Sequence, residues 1–192
     1  MFFLNTNLST FVTCYMLESL ITSKTRLRLL IKFFISQANK GYLNGLATEM
    51  GESTNAIRKE LNHLQGAGYL KKIKVNNKIE YKANTEHPLF NVLRKVVLKH
   101  LGLEDVVDTV LERMGDVDQI ILIGDYAKGK DTGLIEVFLI GQGLNMDYIA
   151  QLEEKIEKLI GRNVSFYLAS KFISDQEHIL LFNSKENDFN RQ

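Results

Sequence analysis

Residues 43–84 read LNGLATEMGESTNAIRKELNHLQGAGYLKKIKVNNKIEYKAN. Leu43, Leu46, Ala47 and Met50 recur at helical spacing, and Gly51 stops this short helix. Ser53 or Thr54 then stands where a helix N-cap belongs. In the segment that follows, Ile57, Leu61 and Leu64 form one apolar stripe, and Gly66 and Gly68 end it. Two short helices joined by a tight Gly-containing turn make a helix-turn-helix pattern. From Tyr69 the period changes. YLKKIKVNNKIEYKAN sets Leu70, Ile73, Val75, Ile79 and Tyr81 among polar residues. Asn76-Asn77 at its midpoint tolerates the positive φ angles of a tight hairpin turn.

Helix-turn-helix followed by a basic hairpin predicts a winged helix. The third helix of that unit, 53–65, presents Ser53, Thr54, Asn55, Arg58, Lys59 and Asn62 away from its apolar stripe. Its N-terminus attracts phosphate through unsatisfied backbone N–H groups. Asn, Arg and Lys can reach base edges from the major groove. The hairpin, 70–82, carries Lys72, Lys74, Asn77 and Lys78 at its tip and flanks, which suits phosphate contact. A polar helix face is also what plain solvation produces, and winged helices dock proteins as well as DNA. Upstream, Leu27, Leu30, Ile31, Phe34 and Ile35 predict a helix from about Leu17 to Gln37. Downstream, HPLFNVLRKVVLKHLG predicts a helix entered at Pro88. Its apolar stripe is Leu89, Leu93, Val96 and Val97, with Arg94, Lys95 and Lys99 opposite. It serves either dimerisation or packing on its own domain.

The charge distribution divides the chain. Its 192 residues sum to a net charge of +1. Residues 16–101 hold 15 Lys/Arg against 6 Asp/Glu, whereas residues 102–192 hold 9 against 17. A basic half joined to an acidic half suggests different partners for each, with a polyanion for the first. One cysteine, Cys14, excludes a disulfide framework within the chain and fits a cytoplasmic protein. The uncharged segment MFFLNTNLSTFVTCY lacks the basic start of a signal peptide and is too short and polar to span a membrane. Residues 1–15 are either a packing arm or the product of a start placed upstream of Met16.

SKTRLRLL, LNGLATEMGESTNAIRKELNHLQGAGYLKK and NKIEYKANTEHPLFNVLRKVVLKHLG resemble the ArsR/MarR-like winged-helix regulators that are fused to a nucleotidyltransferase-like domain. The resemblance covers roughly Leu17 to Gly102. It implies a homodimer reading a two-fold site on double-stranded DNA, with Asn55, Arg58, Lys59 and Lys78 at the family's contact positions. Metal-sensing members use Cys/His clusters. Here Cys14, His63, His87, His100 and His178 are scattered, so no metal is expected.

The acidic half, 102–192, reads as a small mixed α/β domain, making the whole chain α+β. Its elements are a helix from Leu103 to about Met114, strands at Val117–Ile123 and Leu134–Ile140, a helix from Met146 to Ile160, and a strand at Val164–Leu168. Ile179 to Phe182 reads as apolar core packing and the tail SKENDFNRQ as frayed. After the first strand comes GDYAKGKD, 124–131. Gly124, Gly129 and Lys130 have the spacing of a P-loop, but the next residue must be Ser or Thr to ligate magnesium, and it is Asp131. Thr132 comes one residue too late.

GDYAKGKDTGLIEVFLIG also resembles the signature of the polymerase-β-like minimal nucleotidyltransferases. Gly124, Tyr126, Ala127, Lys128 (for Arg) and Gly129 match. The resemblance implies a Ser at position 125, two aspartates at 134 and 136, and a third carboxylate within NVSFYL. The chain has Asp125, Leu134, Glu136 and none in that last stretch. Two-metal catalysis needs several hard oxygen ligands. The expectation is therefore a degenerate domain with no catalytic residue, no metal and no cofactor. It would be kept for dimerisation or for sensing a small-molecule effector near Lys128 and Lys130. The whole is expected to be a transcriptional regulator. Two alternatives stay open: an active nucleotidyltransferase of toxin–antitoxin type, and a winged-helix protein-interaction module.

Overall fold

The computed structural model describes residues 20–187. The 1–15 segment, the expected helix start at Leu17 and residues 188–192 of the tail lie outside them. The chain is mixed α and β and divides into two compact units, residues 15–98 and Lys99 onward.

In the first unit, α1 spans Lys24–Phe34, β1 Lys40–Tyr42, α2 Leu43–Met50, α3 Thr54–Gly66, β2 Leu70–Val75 and β3 Lys78–Ala83. The three strands form one antiparallel sheet in the order β1-β3-β2. The expected helix from Leu17 to Gln37 is broken. Residues 21–23 leave the helical path, and the Ser23 hydroxyl accepts the Arg26 N–H at 3.2 Å, starting α1 afresh. Gly51 ends α2 at φ 63°, in the left-handed region that Gly adopts without strain. In the hairpin, Asn76 and Asn77 hold φ 45° and 61° with Val75 opposite Lys78. Positive φ at both central residues is the type I′ turn, whose twist matches that of its strands.

The core of this unit is Leu29, Phe33 and Phe34 of α1, Leu46 of α2, and Ile57, Leu61 and Leu64 of α3, all at most 2% exposed. Each such side chain contributes about 1.5–3 kcal/mol on burial. Helix α4, Phe90–His100, follows. Its inward residues are Phe90 and Val97, while Leu89, Val92 and Val96 face solvent. The expected stripe of Leu89, Leu93, Val96 and Val97 is thus corrected by a rotation of the helix. Phe90 turns it, because its ring packs on Phe34 with centroids 5.5 Å apart.

In the second unit, α5 (Leu103–Arg113) leads into β4 (Asp116–Ile123), the single turn α6 (Gly124–Ala127) and β5 (Leu134–Gln142). A 3-10 turn at Met146–Tyr148, α7 (Ile149–Ile160), β6 (Asn163–Ala169), β7 (Ile179–Asn183) and the short helix α8 (Ser184–Asn187) complete it. The sheet order is β6-β5-β4-β7, with β5 and β6 parallel and β4 antiparallel to both its neighbours. One face is sealed by Ile120, Leu122, Ile135, Val137 and Leu139 together with Val106 and Val110 of α5 and Leu152 and Ile156 of α7. On the other, Ile121, Ile123 and Ile140 are covered by Phe138, Ala169 and Phe172. In the Ile179–Phe182 segment, read as core packing, Ile179 is buried as expected, but the segment is an edge strand and Leu180 is exposed. Among the described residues no helix is long and apolar enough to cross a membrane.

One buried charge ties α1 to α3. Glu60 is 7% exposed, accepts the Ser23 Oγ–H at 2.9 Å and the Arg26 Nε–H at 2.7 Å, and so receives a charge-assisted pair from the first turn of α1. Burial raises its pKa, but the bonds from Arg26 and Ser23 outweigh burial and leave it below the ordinary 4.5. Glu60→Ala is expected to lower the urea midpoint by an amount equivalent to about 2 kcal/mol at neutral pH, with an unchanged m-value. A lowered carboxylate pKa stabilises above the unfolded value and ceases to do so as pH falls through the folded one. The wild-type advantage should therefore be complete above about pH 4.5 and vanish in more acid solution, as urea melts across pH would show.

Candidate nucleic-acid interface

Helix α3 has a sealed side and an open side. Ser53 caps it, its hydroxyl accepting the Ala56 N–H at 3.1 Å, while the Ile57 N–H returns to the Ser53 carbonyl. The remaining first-turn donors, on Thr54 and Asn55, point out of the helix end. Thr54, Asn55, Arg58, Lys59 and Asn62 are all exposed. Arg58 Nη1 donates to Asn55 Oδ1 at 3.2 Å, so the two side chains already share an orientation one turn apart. The structure thus brings these residues together on one face.

The hairpin is less uniform than its sequence suggests. Cross-strand partners share a face, so Lys72 and Lys74 lie with Tyr81 and Ile79. Lys78 lies on the opposite face, with Lys71, Ile73, Glu80 and Lys82 of that register. Asn77 is committed to the turn. The lysines therefore form two separate basic strips. Ile73 and Ile79 are exposed at 39% and 49%, one on each face. The spacing from Leu70 to Ile73 is odd, so both cannot face the core, a detail the composition of the run conceals.

In the second unit, Gly124 opens α6 at φ 69°, and a Cβ there would strike the Glu136 carboxylate. The register of β4 with β5 puts Glu136 opposite Ile123, which brings that carboxylate over the glycine. Tyr167 donates its hydroxyl to Glu136 Oε1 at 3.2 Å, and the negative charge of Glu136 pushes the Tyr167 phenol up. Leu134, exposed, shares the face of β5 with Glu136. Asp125 is half-buried and its carbonyl accepts the Lys130 N–H at 2.9 Å. Lys128 is half-buried and Lys130 exposed. Among the described residues no group of three or more His, Cys, Asp or Glu is placed to hold a metal ion.

Asp131, the residue at the P-loop hydroxyl position, has a different occupation. It accepts the hydroxyl of fully buried Tyr126 and two bonds from Arg162, at 3.3 Å from Nε and 3.0 Å from Nη2. Burial raises the Asp131 pKa, and the bonds from Arg162 and Tyr126 more than reverse this. Burial, and then the Asp131 bond, push the Tyr126 phenol well up. Arg162 lies beyond a strand and a helix from the turn, so no local spacing signals it. Asp131→Ala should destabilise the protein by about 2–3 kcal/mol, because the guanidinium and the buried hydroxyl lose their partner. Asp131→Ser, which restores the P-loop residue type, should also be less stable. It should gain no binding of magnesium–ATP by titration calorimetry.

No family model matches the chain, and no curated protein matches it. A crystal structure of a toxin-antitoxin with AMP-PNP is similar over 45% of this chain and 77% of its own, at 14% identity and a TM-score of 0.38. A likeness of that size carries no argument about fold or function.

Proposed function

We propose that the protein is a DNA-binding transcriptional regulator of ArsR/MarR-like winged-helix type, working in the cytoplasm as a homodimer. One observation carries this reading: Asn55, Arg58, Lys59 and Asn62 stand exposed on one side of α3 while Ile57, Leu61 and Leu64 seal its other side. A helix held so firmly by its apolar side can enter a major groove with its polar side, N-terminus first. Asn55, Arg58 and Lys59 would meet base edges, and Thr54 and the Lys72/Lys74 strip the phosphates. The exposed Val92 and Val96 of α4, with Leu89 just before it, supply an apolar face for pairing two copies.

The second unit is best understood as a nucleotidyltransferase-like fold without catalysis. Asp125 puts an anion where a triphosphate would sit. Leu134 contributes no ligand, and Glu136 is turned onto Gly124 and Tyr167. One carboxylate does not localise two magnesium ions. This unit would set dimer geometry or sense an effector. Exposed Ile73 and Ile79 favour a second reading, in which the hairpin docks a protein.

Binding to random-sequence duplex DNA across a salt series tests the proposal. Log affinity should fall steeply with log salt, by about 0.9 per phosphate contacted. Arg58→Ala/Lys59→Ala should lose affinity at least about tenfold and flatten the slope. Its stability should stay within about 0.5 kcal/mol of wild type, since both side chains are exposed. Absence of duplex binding at low salt by the wild type would overturn the reading and leave protein docking.

A further inference from the structure

Strand β6 lies at an edge of the four-stranded sheet, paired on one side only, in parallel with β5. The Asn163 N–H turns inward to the Gly133 carbonyl, so the N–H groups of Val164 and Phe166 alternate to the outer side. These outer donors are already occupied. Glu157 Oε1 accepts the Val164 N–H at 3.1 Å, and Glu153 Oε1 accepts the Phe166 N–H at 2.9 Å.

Both carboxylates come from α7, beside the buried Leu152, Ile156 and Ile160 that fix its rotation. The match is one of pitch. Four residues of helix advance about 6 Å and two residues of strand about 6.6 Å. The order is reversed between the two elements, Glu157 over Val164 and Glu153 over Phe166, so the helix returns along the strand. Two carboxylates at this spacing on a helix repel each other weakly. Exposed edge strands recruit other strands unless something blunts them.

We infer that the outer edge of β6 is a latent pairing surface for the same strand of a second copy, antiparallel, and that Glu153 and Glu157 keep it closed. The sequence of the strand selects that occupant. NVSFYLA has no charged side chain and no proline, so two copies meet without repulsion and without a missing donor. This inference is independent of DNA binding and of any pairing through α4.

The test compares the full chain with Glu153→Ala/Glu157→Ala and Glu153→Gln/Glu157→Gln by sedimentation velocity, with far-ultraviolet circular dichroism as the check on folding. Alanine favours helix more than glutamate, so α7 should persist. The Ala pair should sediment as a larger species than the wild type, of twice the mass where the wild type is a monomer and of higher mass still where it already pairs through another face. The Gln pair, which keeps a carbonyl acceptor, should match the wild type. A folded Ala pair of wild-type mass overturns the inference. So does a Gln pair that associates as the Ala pair does.

Discussion

Glu60 sits among Ile57, Leu61 and Leu64 on the inward side of α3, where a carboxylate without partners would cost several kcal/mol. Its partners, Ser23 and Arg26, belong to the first turn of α1, and they fit it only when α3 has one rotation about its own axis. Apolar packing alone tolerates small rotations, because one aliphatic contact replaces another. A bidentate carboxylate does not. The open side of α3 is consequently aimed from within: Asn55, Arg58, Lys59 and Asn62 point outward because Glu60 is held inward. The same bond explains why α1 begins at Ser23, since one hydroxyl both caps the helix and reaches the carboxylate.

Much of the first unit was legible because its signals are local. Helical spacing placed α2 and α3, Gly51 and Gly68 marked their ends, and Asn76-Asn77 identified the turn. What escaped depended on distant partners. Nothing in ESLITSKT marks a break, and the Ser23 cap prevails through a residue far along the chain. Helix α4 carries two apolar stripes of similar strength, Phe90/Val97 and Leu89/Val96, and only the proximity of Phe34 chooses between them. Ile179 to Phe182 is too short to show a period, and its pairing with β4 makes it a strand.

The candidate sites divide the same way. The polar side of α3 was readable because its residues need only be exposed. The lysines of the hairpin were readable as a set but not as two strips, since that depends on register. At 124–131 the sequence told what the turn lacks, and the structure adds what Asp131 and Glu136 do instead. Asp131 anchors the turn through Tyr126 and Arg162, and Glu136 fills the space over Gly124. Both are tasks of packing, assigned by residues on other strands and loops.

The strand order β6-β5-β4-β7 has a consequence for synthesis. β4 pairs first with the strand that follows it, β5, but its other edge waits for β7, which emerges only after α7 and β6. While the chain is being made, the apolar run Ile120 to Ile123 must stand with one row of backbone donors and acceptors unpaired. Such non-local closure is slow, and an open apolar edge is where a nascent chain finds the wrong neighbour. Among the described residues β7 is the last strand in chain order and the one that ends this exposure, so a chain cut short before Ile179 would keep this apolar edge of β4 bare.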